Sequence, residues 1–88
     1  MKDFYVKNTT DTSKIYFKLK PILFSESEFT YEGIEIVAAE GKWEMDKHNL
    51  NYHDLLNMYE EGFHTIDQDE YERIEALVRL STQGELDQ

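Results

Sequence analysis

The hydrophobic periodicity of the chain changes once, near residue 50, and this change limits the folds that the chain can adopt. Before it, apolar residues alternate with polar ones, as Ile15, Phe17 and Leu19 do, which is the period of a half-buried strand. After it, apolar residues recur every three or four positions, which is typical of amphipathic helices. Strands that precede helices along the chain predict an α+β domain.

Length and composition predict one compact domain. The chain has 88 residues, 40% of them hydrophobic and 14% aromatic, which is enough for one core in spite of a net charge of −10. We expect a single domain over residues 1–84 and a frayed tail over 85–88. Cysteine is absent, which excludes disulfides and thiolate chemistry. No apolar run approaches the roughly 20 residues that span a bilayer, so we expect a cytoplasmic protein, or one in a host cytoplasm.

The predicted sheet is an antiparallel β-meander of four to five strands. Glu32-Gly33 and Glu40-Gly41 lie eight residues apart, and glycine favours two-residue hairpins because it adopts positive φ. Two such hairpins predict a three-stranded meander over residues 28–46. Its opposed pairs are all apolar: Tyr31 with Ile34, Phe29 with Ile36, Ala38 with Trp43, and Ile36 with Met45. Pro21 is expected to end the preceding strand or to place it at an edge.

Two helices are predicted after the sheet, near residues 52–61 and 68–82, and both are expected to pack on one face of it. Each begins with an N-cap residue and an acid three positions later, which form a capping box. The start and stop residues are Asn51 and Gly62 for the first helix, and Asp67 and Gly84 for the second. His64, between the helices, is expected to lie in a linker.

Charge is unevenly distributed along the chain. Residues 1–20 hold five lysines and two aspartates, whereas residues 21–88 hold 17 acids and four cations. A field of this sign repels phosphate backbones and anionic lipid, and it attracts basic surfaces such as those of proteins that handle nucleic acid. The expected partner is therefore a basic protein surface, as on a nucleic-acid-binding enzyme, and neither nucleic acid itself nor a membrane.

The outer face of the predicted meander is acidic. Glu35 would lie opposite Asp46 with no cation assigned to either residue, and such a pair costs a few tenths of a kcal/mol. Two explanations remain open: the outer face needs polar residues for solubility, or an acidic ribbon pairs with lysines and arginines of a partner. The candidate partner-binding residues are Glu28, Glu32, Glu35, Glu40, Glu44 and Asp46.

No catalytic, cofactor or metal residues are predicted. His48 and His53 lack the i, i+4 spacing that places two rings on one helical face. There is no glycine-rich phosphate loop and no Gly-x-Ser-x-Gly elbow. Nothing in the spacing of the 19 acids separates an acid–base pair from the rest. The chain is therefore not expected to be an enzyme.

Two functions are the leading hypotheses, and a small enzyme or metal-binding domain is the third. In size, absence of cysteine and charge, the chain resembles the small phage-encoded inhibitors of restriction and CRISPR systems. This resemblance covers no motif and transfers no residues. It implies an acidic inhibitor that blocks a nucleic-acid enzyme of the host by partial DNA mimicry. The alternative is a small adaptor or assembly protein without a nucleic-acid-related target, dimerising through an open sheet edge or the apolar segment from Pro21 to Phe24.

Overall fold

The structure, a computed structural model, describes residues 2–23 and 29–86, and within them all side chains except those of residues 23, 29 and 81–86. The strands that come first are β1 (Phe4–Thr9), β2 (Ser13–Leu23), β3 (Phe29–Ala39) and β4 (Lys42–Leu50). Helix α1 (Tyr52–Glu60), strand β5 (His64–Ile66) and helix α2 (Gln68–Leu86) follow. Neither described helix is long and apolar enough to cross a membrane.

The five strands form one antiparallel sheet in the order β4-β3-β2-β1-β5, which confirms the predicted α+β class and the meander. β5 lies beside β1 at the sheet edge, with Ile66 opposite Tyr5 and His64 opposite Lys7. The prediction that His64 lies in a linker was therefore wrong. A three-residue strand is too short for its alternation to be recognised.

One of the two predicted hairpins is correct. Glu40 and Gly41 both have positive φ, at 54° and 75°, as a type I′ turn requires. The resulting register places Ala38 opposite Trp43 and Ile36 opposite Met45, as predicted. In this register Glu35 also lies opposite Asp46.

The hairpin predicted at Glu32-Gly33 was wrong, because both residues lie inside β3. The opposed pairs Tyr31 with Ile34 and Phe29 with Ile36 were wrong for the same reason. Gly33 is closely packed instead: a Cβ atom there would lie 3.2 Å from Leu50 Cδ1 and 3.3 Å from Phe17 Cδ1.

Pro21 does not end β2, which continues to Leu23 between β1 and β3. Pro21 lies opposite Tyr31 of β3. The last pair between β1 and β2 is Phe4 with Leu19. At Pro21, therefore, β3 is the only described strand that pairs with β2. A proline in a central strand is tolerated there because it has no β1 partner.

The two helices cover opposite faces of the sheet, and in this respect the structure differs from the expectation that both pack on one face. We name these the α1 face and the α2 face. The core of the α1 face contains Val6, Phe17, Leu19, Leu55, Met58 and Phe63. The core of the α2 face contains Tyr5, Tyr16, Ile36, Tyr71 and Val78. Neighbouring strand residues such as Tyr16 and Phe17 are both buried because each points into a different core.

The path through β5 explains how the chain changes face. After α1, the Phe63 N–H donates to the Met58 carbonyl (3.1 Å), and the chain then pairs with β1 at the sheet edge. Ile66, at the end of β5, packs against the core of the α2 face. Asp67 caps α2 from that side, because its Oδ1 accepts from the Glu70 N–H at 2.8 Å.

The predicted capping box of α1 is confirmed. Asn51 Oδ1 accepts from the Asp54 N–H (2.9 Å), and Asp54 Oδ2 accepts from the Asn51 N–H (3.0 Å). The helix ends at Glu60, directly before the predicted 61. α2 continues to Leu86, past Gly84, where the sequence predicted its end.

Candidate protein-binding site

Charged residues of the strands are segregated between the two faces of the sheet. Because side chains alternate along a strand, the register assigns each residue to a face. The α2 face receives Lys7, Lys14, Lys18, Lys20 and Lys47, together with Glu32. The α1 face receives Glu35, Glu44 and Asp46, together with Lys42. The sheet thus separates lysines from acids more completely than the linear sequence does.

Two of the lysines on the α2 face, Lys7 and Lys18, have acidic partners in this chain. Lys7 Nζ donates to Glu70 Oε2 of α2 at 3.1 Å, and Lys18 Nζ lies 3.8 Å from Asp3 Oδ2. The hydrogen bond to Glu70 raises the pKa of Lys7, and partial burial of the amine opposes that rise. These intramolecular pairs neutralise part of the positive charge on this face.

The acids of the α1 face form a compact group, which we call the acid cluster: Glu35, Glu44 and Asp46. Glu35 is directly opposite Asp46, and Glu44 is two residues from Asp46 on the same strand. Glu44 and Asp46 are exposed. Glu35 Oε1 lies 3.0 Å from His48 Nε2, with 22% of the Glu35 side chain exposed. The cluster therefore presents carboxylates to solvent on a face that α1 covers only in part.

A groove of about 400 Å³ lies where α1 meets the sheet, and we call it the α1 groove. Its apolar lining consists of Ile15, Phe17, Leu50, Met58 and Phe63, and its polar lining of Glu35, His48, Asp54, Asn57 and Glu61. Asp54, Asn57 and Glu61 follow one another at intervals of three and four residues, which places them on the same side of the helix. Glu35 belongs to both the acid cluster and the groove, so the two are continuous.

The structure brings together three of the six predicted partner-binding residues, which are the members of the acid cluster. Glu40 lies in the hairpin turn and is exposed. Glu32 is on the α2 face, opposite Lys20. Glu28 lies outside the described residues. Whether any of these residues binds a partner stays a prediction.

Sequence reasoning missed the contributions of α1 to this site. Asp54 was predicted as part of a helix cap and not as a partner-binding residue, and Glu61 was not considered. The spacing of Asp54, Asn57 and Glu61 was a usable signal, since it marks one polar side of the helix. This spacing could not be used to predict the site, because the side of α1 that faces the acidic strand residues depends on how the helix packs on the sheet.

Neither a metal-binding group nor a similarity to known proteins indicates an activity for this site. Among the described residues, no group of three or more His, Asp or Glu side chains could hold a metal ion. No protein-family model, curated protein or solved structure matches the chain. Ionised carboxylates accept hydrogen bonds and attract cations, so binding of a cationic group is the chemistry that the site offers.

Proposed function

We propose that this protein is a small phage-encoded inhibitor whose acid cluster binds the basic nucleic-acid channel of an enzyme in the host cytoplasm. The observation that carries the proposal is the placement of Glu35, Glu44 and Asp46 on one partly uncovered face. Lysines and arginines of such a channel are arranged to receive phosphates, and carboxylates on a rigid sheet offer them negative charge in place of DNA. This is partial DNA mimicry of the kind found in inhibitors of restriction and CRISPR systems.

The free protein bears an electrostatic cost that a basic partner would relieve. Glu35 and Asp46 are opposed like charges, and such pairs destabilise a sheet. A lysine or arginine placed between them would convert repulsion into attraction. Part of the binding free energy then comes from the strain that the free protein already carries. The proposed role requires only that the protein occupy the channel, and it needs neither catalysis nor a cofactor.

A pull-down from bacterial lysate at low salt, with identification by mass spectrometry, tests the proposal first. We expect to recover nucleic-acid enzymes. Association with a recovered enzyme should slow strongly as salt rises past about 0.15 M, where the screening length is about 8 Å.

Two variants with the same change in net charge locate the contact. Reversal of Glu35, Glu44 and Asp46 to lysine should weaken binding by about tenfold or more, which is about 1.4 kcal/mol. Reversal of Glu32, Asp69 and Glu72, which lie on the α2 face and on α2, should change it much less. Recovery only of proteins unrelated to nucleic acid, bound equally well by the first variant, would contradict the proposal.

The adaptor alternative is favoured by one observation, which is the exposed edge of β4. Among the described strands, β4 pairs with β3 alone, and residues 44–49 are all exposed. Such an edge offers unpaired N–H and C=O groups to a second copy of the chain. In this second candidate two β4 strands pair in a homodimer. Sedimentation over a wide concentration range tests it, because a monomer at every concentration would dismiss it.

A further inference from the structure

We infer that the α1 groove holds the side chain of one arginine from the basic partner. This inference rests on the proposed function and specifies which partner group enters the site. The groove joins an apolar floor to a carboxylate rim. A side chain that fits it must have an apolar stem and a cationic end, and lysine and arginine both meet this first requirement.

The floor of the groove favours arginine over lysine. The Phe17 ring lies 5.8 Å from the Phe63 ring and 5.9 Å from the His48 ring, measured between centroids. All three rings line the groove, but Phe17 and Phe63 are buried in the core, so the exposed His48 ring is the one open to an incoming planar group. A guanidinium is planar and weakly hydrated, so it stacks on aromatic rings more readily than the compact, strongly hydrated ammonium of lysine.

The rim favours arginine for a second reason, because its acids come from two walls. Glu35 belongs to β3, whereas Asp54 and Glu61 lie on and just after α1. A guanidinium carries five N–H donors in a fixed plane and can donate to carboxylates on both walls at once. No lysine or arginine is among the described residues that line the groove, so its charge is complementary to a cationic occupant.

An NMR titration of the ¹⁵N-labelled protein with N-acetyl-arginine-N-methylamide tests this inference without an identified partner. We expect saturable amide shifts confined to the residues of the groove. The corresponding lysine derivative should bind about fivefold more weakly or worse, and the neutral citrulline derivative weaker still, because the charge and the planar fork both contribute.

Two double variants distinguish binding in the groove from binding elsewhere on the acidic face. Glu35→Gln with Asp54→Asn removes two charges from the rim, and the amide oxygen that replaces the carboxylate at position 54 can still accept from the Asn51 N–H. We expect about a fivefold loss of affinity for the arginine derivative. Glu44→Gln with Asp46→Asn removes two charges from the same face outside the groove and should change this affinity by less than about twofold.

Three results would overturn the groove inference: equal affinity for the arginine and lysine derivatives, equal losses from the two double variants, or no saturable shift at about 50 mM, where even weak side-chain binding is detectable. None of these results contradicts the proposed function. That proposal is tested by whether reversal of Glu35, Glu44 and Asp46 to lysine weakens binding of the partner. Partner binding that does not depend on salt would contradict the proposed function. The amide shifts caused by the arginine derivative would still test the groove inference separately.

Discussion

Replacement of Asp46 by lysine should stabilise the fold, because it changes a like-charge pair into an opposite-charge pair. Asp46 lies directly opposite Glu35, and cross-strand charge pairs contribute about 0.2–1 kcal/mol each. The variant removes one repulsion and adds one attraction. Asp46 is exposed and partly screened, so we expect the free energy of unfolding to rise by about 0.5–1 kcal/mol.

Glu32→Lys is the matched control, with the opposite expected sign. Glu32 lies opposite Lys20 on the α2 face, so the same substitution there removes an attraction and adds a repulsion. We expect a loss of about 0.5–1 kcal/mol in the free energy of unfolding. Each variant changes the net charge by two units, so any effect of overall charge cancels in the difference between them.

Thermal unfolding measures both effects. For a domain of this size, about 0.5–1 kcal/mol corresponds to a shift of about 2–8 °C, upward for Asp46→Lys and downward for Glu32→Lys. The difference between the variants should shrink in about 1 M salt, where the screening length is about 3 Å. If Asp46→Lys is no more stable than Glu32→Lys at low salt, opposed charges in this register do not govern stability. A stabilised Asp46→Lys variant that binds the partner more weakly would show that the same carboxylate lowers stability and contributes to binding.

Two further predictions concern the core. Tyr71→Phe should raise the free energy of unfolding by about 1 kcal/mol in urea titrations, because the buried Tyr71 hydroxyl has no described hydrogen-bond partner. Burial also raises the pKa of Tyr71 above its ordinary 10.0, so the wild type should lose stability above pH 10.0 and the variant less; equal losses would contradict this. Gly33→Ala should cost about 1–3 kcal/mol, because its Cβ would crowd Leu50 and Phe17; wild-type stability would show that the site accommodates a methyl group.

Several features were predictable from the sequence because they depend on residues close together in the chain. The two helix caps need only Asn51 with Asp54 and Asp67 with Glu70, which lie within one helical turn. The Glu40-Gly41 turn fixes the register of β3 and β4, and with it the opposition of the acids.

Other features required contacts between distant parts of the chain. Gly33 resembles a turn glycine in its local sequence, and its packing role depends on Leu50 and Phe17. Tyr5 and Tyr16 alternate with the apolar residues of their strands, yet both are buried in the core of the α2 face. Tyrosine is amphipathic, so its presence does not reveal whether a helix covers that side of the sheet.

The sequence by itself determined which strand residues share a face, because side chains alternate with a period of two. It therefore determined that Glu35, Glu44 and Asp46 lie together once β3 and β4 pair. Only the tertiary structure decided which face each helix covers, because β5 returns the chain to the sheet edge, from which α2 continues on the face opposite α1. Through that path Lys7 acquired an acidic partner from α2, and the acid cluster was left open beside the α1 groove.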